Sequence, residues 1–189
     1  MSILPAITNY PTHKRFGRLD LEFCLEQAHW IMKNIPVTEQ TELRRVWRFH
    51  KESAVPLIHE AQLHINKITK GFEEVYRRSP STLFFLLTET LKDADDPVWF
   101  KDKVSQGQMH VSIEGGSNID IDDGIKIKNI TVPDGSVWFL NSSQYMHRPV
   151  DVNGASRIEM FAPISQQLSY TTDKMLQVVD NKWKYLKHT

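Results

Sequence analysis

The chain of 189 residues is 40% hydrophobic and 24% charged, a profile that fits one soluble globular domain over residues 1–189. Basic and acidic residues number 23 each, so no net charge attracts nucleic acid or an anionic membrane surface. The single cysteine, Cys24, excludes an intrachain disulfide and favours a reducing compartment. With no signal-peptide pattern at the N-terminus and no apolar run of about 18 residues, we expect a cytoplasmic protein without a membrane span.

The first part of the chain, residues 1–81, predicts a helical layer. Residues 1–18 lack a periodic pattern and are expected to be an irregular arm. Asp20 then predicts the N-cap of a helix that ends before Pro36. Cys24 lies on the apolar face of this helix and is therefore expected to be buried and unreactive. The other apolar residues of that face are Leu21, Leu25, Ala28, Met32 and Ile35.

A partly alternating stretch at residues 43–50 predicts a strand, and Ser53 with Pro56 predicts the start of a second helix. The apolar stripe of this helix comprises Leu57, Ala61, Ile65, Ile68, Phe72 and Val75. His59 and His64 on the same helix are five residues apart, which separates them by about 140° around the helix axis. A zinc-protease motif places its histidines four apart on one face, so we expect two surface histidines here.

From residue 82 onward the sequence predicts strands. A buried run at 82–91 is followed by an acidic break and then by further strand candidates at 108–114, 117–122, 125–132, 136–141, 145–152 and 156–164. Glycine-containing turns separate most of these candidates. The pattern predicts an α+β protein whose residues 82–165 form a jelly roll, that is, a double-stranded β-helix. An amphipathic helix from about Thr172, within residues 166–189, closes the chain.

Residues 133–147 read Pro-Asp-Gly-Ser-Val-Trp-Phe-Leu-Asn-Ser-Ser-Gln-Tyr-Met-His, and Arg157 follows ten residues after this histidine, leading the run Ile-Glu-Met-Phe. This pattern resembles the distal motif of iron(II)/2-oxoglutarate-dependent oxygenases, most closely that of the aspartyl/asparaginyl β-hydroxylases and the bacterial proline cis-4-hydroxylases. The resemblance covers about residues 107–164. It implies iron(II) and 2-oxoglutarate as cofactors, and a small molecule or a peptide as substrate.

By this resemblance, His147 would bind the metal and Arg157 would bind the far carboxylate of 2-oxoglutarate. His110 would be either the second metal ligand or a contact of 2-oxoglutarate. The residue types suit these roles, because imidazole is a good iron(II) ligand and a planar guanidinium forms two parallel hydrogen bonds with a carboxylate. For His147 and Arg157 to face one interior, we expect an odd-numbered loop or a bulge, such as a three-residue loop over 153–155.

The proximal half of the family pattern is not matched. The first metal-binding histidine of the group, in His-x-Asp or His-x-Glu, is expected about ten residues before the strand at 109–113, yet residues 97–102 contain no histidine. The triplet His50-Lys51-Glu52 has the right composition, but it precedes the second helix and lies outside the strand region predicted from residue 82 onward. The sequence therefore supplies one half of the expected site.

Three interpretations of the metal site stay open. His110 and His147 could bind iron together with Asp102, or with Glu114, which alternation places on the same strand face as His110. Water could complete a partial ligand set, or the metal site could be lost. The leading hypothesis is an iron(II)/2-oxoglutarate-dependent hydroxylase that acts on an amino acid or a peptidyl residue. The alternative is a catalytically inactive jelly-roll protein that binds a small molecule or a protein partner.

Overall fold

The computed structural model describes residues 13–76, 80–82, 84–92, 98–99, 101, 107–142, 145–150 and 156–166. Its helices in these ranges are α1 (Leu21–Asn34) and α2 (Pro56–Tyr76). Its strands are β1 (His13–Arg18), β2 (Glu39–Gln40), β3 (Arg44–His50), β4 (Pro80–Ser81), β5 (Phe84–Thr90), β6 (Gly107–Glu114), β7 (Ser117–Asp122), β8 (Ile127–Val132), β9 (Ser136–Leu140), β10 (Met146–Val150) and β11 (Arg157–Gln166).

The described strands form two antiparallel sheets. The larger sheet has the order β1-β9-β6-β11-β5-β3-β2, with β4 also paired to β11, and the smaller has the order β10-β7-β8. Neighbours in the sheets are often distant in the chain, because successive strands cross from one sheet to the other. Together with the two helices, these sheets form the jelly-roll-like arrangement that the strand spacing and the turns predict.

The helices cover one face of the large sheet. Alternate residues of β6 and β11, among them Met109, Val111 and Met160, belong to one buried apolar cluster with α1 and α2. The helical members of this cluster are Cys24, Ala28, Ile31, Leu57, Ile58, Ala61, Ile65 and Ile68. Since successive side chains of a strand point to opposite faces, the residues between these positions point toward the small sheet. A second cluster joins the sheets there and comprises Ile119, Ile121, Ile130, Val132 and Leu140.

The start of α1 and the burial of its cysteine are confirmed. Asp20 is the N-cap, and its carboxylate accepts a hydrogen bond from the backbone nitrogen of Phe23 at 3.2 Å. Cys24 is fully buried, and burial, with smaller contributions from Glu60 and Asp20, raises the pKa of its thiol to about 12. At neutral pH this thiol is therefore protonated.

The expectation of an irregular arm over residues 1–18 is wrong for its described part. Residues 13–18 form β1, which pairs with β9 and places His13 opposite Leu140. The partner strand is far away in the chain, so no local pattern in the first residues contains this pairing. β1 therefore extends the large sheet beyond the predicted barrel strands.

The expectation of two surface histidines on α2 is wrong for one of them. His59 is exposed, but the side chain of His64 is buried at 5% exposure. β1 covers this part of α2, and a Cβ atom built at Gly17 would lie 3.8 Å from the His64 ring. Burial lowers the pKa of His64, Lys67 lowers it further, and Glu60 partly offsets both effects.

Three predictions concern residues outside the described ranges: the C-terminal helix from Thr172, the loop over 153–155 and the role of Asp102. The hairpin that such a loop would close is wrong, because β10 belongs to the small sheet and β11 to the large sheet. Of the two helices in the described part of the chain, neither combines the length and the apolar character needed to cross a lipid bilayer.

Candidate functional site

The inward face of β11 carries Arg157, Glu159 and Phe161. The intervening residues Ile158 and Met160 lie in the apolar cluster under the helices, so the alternation of the strand assigns the two sets to opposite faces. Arg157 and Glu159 are 5% and 4% exposed. A buried guanidinium and a buried carboxylate therefore stand two residues apart on the face that points toward the small sheet.

His110 lies beside this pair on β6. It stands opposite Phe161 in the register of β6 and β11, and the two rings meet edge-on with their centroids 4.5 Å apart. On its other side it stands opposite Trp138 of β9. His110 is buried, and its Nε2 is 3.2 Å from Oε1 of Glu159. The imidazole is thus held between two aromatic neighbours and a carboxylate.

Glu159 connects the other members of the cluster. Its Oε1 contacts His110, and its Oε2 accepts a hydrogen bond from Nε of Arg157 at 3.3 Å. Burial on its own would raise the pKa of this carboxyl. The hydrogen bond and charge of His110, the charge of Arg157 and a side-chain hydrogen bond from Ser117 outweigh burial and hold the pKa below its usual range. Glu159 is therefore an ionised carboxylate in the interior.

His147 reaches the interior from the small sheet. On β10 it stands opposite Ile121 of β7, which belongs to the cluster that joins the two sheets. Directly opposite residues share a face, so His147 points inward, and its side chain is 4% exposed. Its Nδ1 lies 3.4 Å from the carbonyl oxygen of Tyr145. When Nδ1 carries the proton and donates it to this carbonyl, Nε2 is the basic nitrogen.

The structure thus buries His147, His110 and Arg157, the three residues that the sequence predicts for the site. It connects two of them, His110 and Arg157, through Glu159. Within the described ranges, no group of three or more His, Cys, Asp or Glu side chains could hold a metal ion. The described residues therefore do not by themselves fit the facial set of two histidines and a carboxylate that binds iron(II) in oxygenases.

The expectation that Glu114 shares a face with His110 is wrong. The register of β6 against β11 shifts between Ile158 and Glu159, which stand opposite Glu114 and Ser112. The extra residue, Ile113, points into the cluster under the helices, and the alternation is interrupted after it. Glu114 is exposed and forms an ion pair with His29 of α1 at 3.3 Å. It faces the helical layer and does not reach the His110 side of the sheet.

One described residue of the range in which the proximal motif is expected, Trp99, contacts the strand of His147. The guanidinium of Arg148, the following residue on β10, sits over the Trp99 ring at 4.5 Å from its centroid. Arg148 is also paired with Asp120 of β7 at 3.2 Å. The side chain that contacts β10 from this range is thus a tryptophan and not a histidine. The alternative triplet is no substitute, since His50 is exposed at the end of β3.

Sequence reasoning did not identify Glu159. The signal was present, because an acidic residue stands two positions after Arg157 in an otherwise apolar strand and so shares its face. A charged residue at such a position is rarely buried without a partner. Its partner His110 comes from a strand almost 50 positions earlier, and only the register of β6 against β11 brings the two together.

Solved structures of similar fold include a 2OG-Fe(II) oxygenase family protein and a prolyl-4-hydroxylase. The chain matches a 2OG-Fe(II) oxygenase family oxidoreductase from Burkholderia pseudomallei with a TM-score of 0.57 and 14% identity, covering 77% of each chain. It matches a prolyl-4-hydroxylase from Pseudomonas putida with a TM-score of 0.56 and 9% identity, covering 83% of this chain and 94% of that one. It also matches HygX from Streptomyces hygroscopicus, solved with nickel and 2-oxoglutarate bound, with a TM-score of 0.60 and 10% identity, covering 84% of each chain.

No protein-family model and no curated protein sequence matches the chain. At these low identities the structural matches show the fold alone. The protein therefore has the fold of the 2-oxoglutarate- and iron(II)-dependent oxygenases, which includes enzymes that hydroxylate proline.

Proposed function

We propose that this protein is an iron(II)/2-oxoglutarate-dependent oxygenase that hydroxylates an amino acid or a residue of a peptide, and that its two sheets form a double-stranded β-helix. One observation carries the proposal: Arg157 is buried on an inward face ten residues after His147, which is buried on the facing sheet. This pair has the spacing of the distal oxygenase motif and lies in a fold shared with 2-oxoglutarate oxygenases.

The chemistry of Arg157 supports a role in binding the far carboxylate of 2-oxoglutarate. A guanidinium is always charged and presents donors in a planar fork that matches a carboxylate. In a buried position its attraction for an anion is screened less than it would be in water. In the conformation that the structure shows, not every donor of Arg157 is available to 2-oxoglutarate, because Nε already donates a hydrogen bond to Glu159.

The iron site is the less complete part of the proposal. His147 would be one ligand, with Nε2 as the coordinating atom when Nδ1 faces the Tyr145 carbonyl. Residues 93–106 contain aspartates but no histidine. A site with His147 and a carboxylate such as Asp102, completed by water, is the arrangement that the sequence leaves available if His110 stays bound to Glu159.

The second candidate function is non-catalytic binding of a small molecule or a protein partner on the same scaffold. The observation that favours it is that the Glu159 carboxylate contacts both His110 and Arg157, the two residues proposed to contact 2-oxoglutarate. The two candidates differ in a measurable way, since only the oxygenase requires a metal and consumes 2-oxoglutarate.

Thermal unfolding with and without ligands tests the oxygenase proposal. We expect manganese(II), as a redox-silent substitute for iron(II), to stabilise the protein together with 2-oxoglutarate. At a thousandfold excess over the dissociation constant the gain is about 4 kcal/mol, on the order of 10 °C for a domain of this size. His147→Ala should abolish the metal-dependent part of the shift, whereas His59→Ala, which changes an exposed histidine on α2, should leave it intact.

Turnover separates the two candidates further. With iron(II), oxygen and 2-oxoglutarate, an oxygenase releases succinate even in the absence of its substrate, and a panel of free amino acids and short peptides should increase this release. Absence of both the manganese-dependent shift and succinate formation, in protein that melts cooperatively, would leave the non-catalytic function as the better account.

A further inference from the structure

The Glu159 carboxylate contacts the guanidinium to which the proposed function assigns the far carboxylate of 2-oxoglutarate. Its two oxygens contact Nε2 of His110 at 3.2 Å and Nε of Arg157 at 3.3 Å. These are the two side chains that the sequence predicts for holding 2-oxoglutarate. The contacts lie on an inward face, where both the carboxylate and the guanidinium are almost completely buried.

The backbone around Glu159 is fixed. β11 is paired on both sides, and Glu159 stands opposite Thr88 of β5 and Ser112 of β6. The strand therefore cannot move away without breaking two ladders of the large sheet. The carboxylate and the guanidinium can therefore separate only by rotation of one of the two side chains.

An external dicarboxylate would meet an unfavourable charge balance beside Glu159. Arg157 has one positive charge, and Glu159 already supplies one negative charge to it in a buried setting. A second carboxylate at the same guanidinium would place two like charges within a few ångströms of each other, which disfavours ionised groups strongly. Glu159 must either turn away or weaken the binding of the incoming anion.

From these contacts we infer that Glu159 is an internal competitor for Arg157, so that the conformation described here is closed to carboxylate ligands. The inference rests on the proposed function, because it concerns the site that the proposal assigns to 2-oxoglutarate. The competing role for Glu159 is positioning: it would hold Arg157 in the orientation that an incoming carboxylate needs. The two roles predict opposite effects when the charge of Glu159 is removed.

Glu159→Gln tests the inference, with glutarate as a metal-independent probe that has a terminal carboxylate but no 2-oxo group. We expect this variant to bind glutarate, measured by calorimetry without metal, about tenfold or more tightly than the unchanged protein, as expected for the loss of one nearby like charge. The matched control is Glu89→Gln on β5, whose carboxylate pairs with Arg45 in the same sheet and does not contact Arg157. This control should bind glutarate like the unchanged protein.

Two further variants complete the experiment. Glu159→Gln combined with Arg157→Ala should lose the gain in glutarate affinity, because the gain acts through the guanidinium. Glu159→Ser is a second neutral replacement, used if thermal melting shows that the glutamine variant is not cooperatively folded. Equal or weaker glutarate binding by the neutral variants, relative to the unchanged protein, would overturn the inference and favour the positioning role.

The outcomes also distinguish the inference from the proposed function. Tighter glutarate binding by Glu159→Gln without any metal-dependent 2-oxoglutarate binding or succinate release would support the internal competitor and contradict the oxygenase. Succinate release by the unchanged protein, with weaker glutarate binding by Glu159→Gln, would support the oxygenase and contradict the internal competitor. No glutarate binding by any variant would contradict the inference directly.

Discussion

Gly115 lies where the chain turns from β6 into β7, directly behind the candidate site. Its φ of +89° falls in the left-handed region, which side chains other than glycine disfavour. A Cβ atom at this position would lie 2.8 Å from the carbonyl oxygen of Ser156 and 3.0 Å from the Cβ of Arg157. Because Gly115 has no side chain, the start of β11 with Arg157 can pack directly against this turn.

Gly115→Ala should destabilise the protein more than Gly116→Ala. Both positions have positive φ, so each alanine costs about 1–2 kcal/mol in backbone conformation. Only the first variant adds a steric clash, since nothing lies within 4 Å of a Cβ built at Gly116. Urea-induced unfolding of the two variants measures the difference. Equal losses of unfolding free energy would mean that the start of β11 can move away from the turn.

At the scale of single residues, the sequence predicts burial better than contact. The resemblance implies interior positions for Arg157 and His147, and both residues are buried. Glu159, the partner of Arg157, lies two positions later on the same strand and so shares its face. Its second partner, His110, depends on how β6 aligns with β11, which no local pattern contains.

Among the elements, β6 shows that alternation along a strand does not always predict the face on which a residue lies. Strict alternation would place Glu114 on the same face as His110, and no residue of the strand indicates otherwise. The interruption arises from the pairing with β11, where the register shifts beside Ile158. As a result the last residue of β6 faces α1 and pairs with His29. Strand boundaries could thus be predicted from the sequence, but the face of a residue beyond a bulge could not.

The helix α2 contains a histidine that should make stability depend on pH. Burial lowers the pKa of His64 in the folded protein, whereas in the unfolded chain it titrates near its usual value of about 6.5. The unfolded state therefore binds more protons below about pH 6.5, and the free energy of unfolding falls as the pH falls through this value. The acidic neighbour Glu60 reduces this effect, and Lys67 increases it.

His64→Leu should flatten the pH dependence of stability as the pH falls below about 6.5, because it removes the proton that the unfolded chain takes up more readily than the folded one. His59→Leu on the same helix is the control, since His59 is exposed and its loss should leave the slope unchanged. Urea-induced unfolding at several pH values measures both slopes. Parallel curves for the unchanged protein and His64→Leu would contradict the assignment.

For the whole molecule, the sequence predicts a helical part followed by a strand-rich part, and the order of the strands along the chain. It does not predict the order of the strands in the sheets. Six strand candidates after residue 100 correspond to β6 through β11. The contribution of β1 and β3 to the large sheet arises from pairing over long distances in the chain, and local periodicity does not encode it.

Amide hydrogen exchange should report the difference between the centre and the edges of the fold. β11 is hydrogen-bonded on both sides, and its alternate residues pack under the helices, so the amide of Met160 should exchange only through global opening. β8 lies at an end of the small sheet as described, and its residue Ile127 is exposed. Its amides should therefore exchange faster. Protection of β8 as strong as that of Met160 would contradict this ranking.

The central place of β11 also has a consequence during synthesis of the chain. β5 and β6, its two neighbours in the sheet, are synthesised before residues 157–166. Until then the edges of β5 and β6 that pair with β11 are both unpaired. Unpaired strand edges readily pair with other chains. A nascent chain that pauses before β11 is therefore exposed to aggregation and is a natural client for chaperones. Once β11 is complete, it pairs with β5 and β6 together and covers both edges.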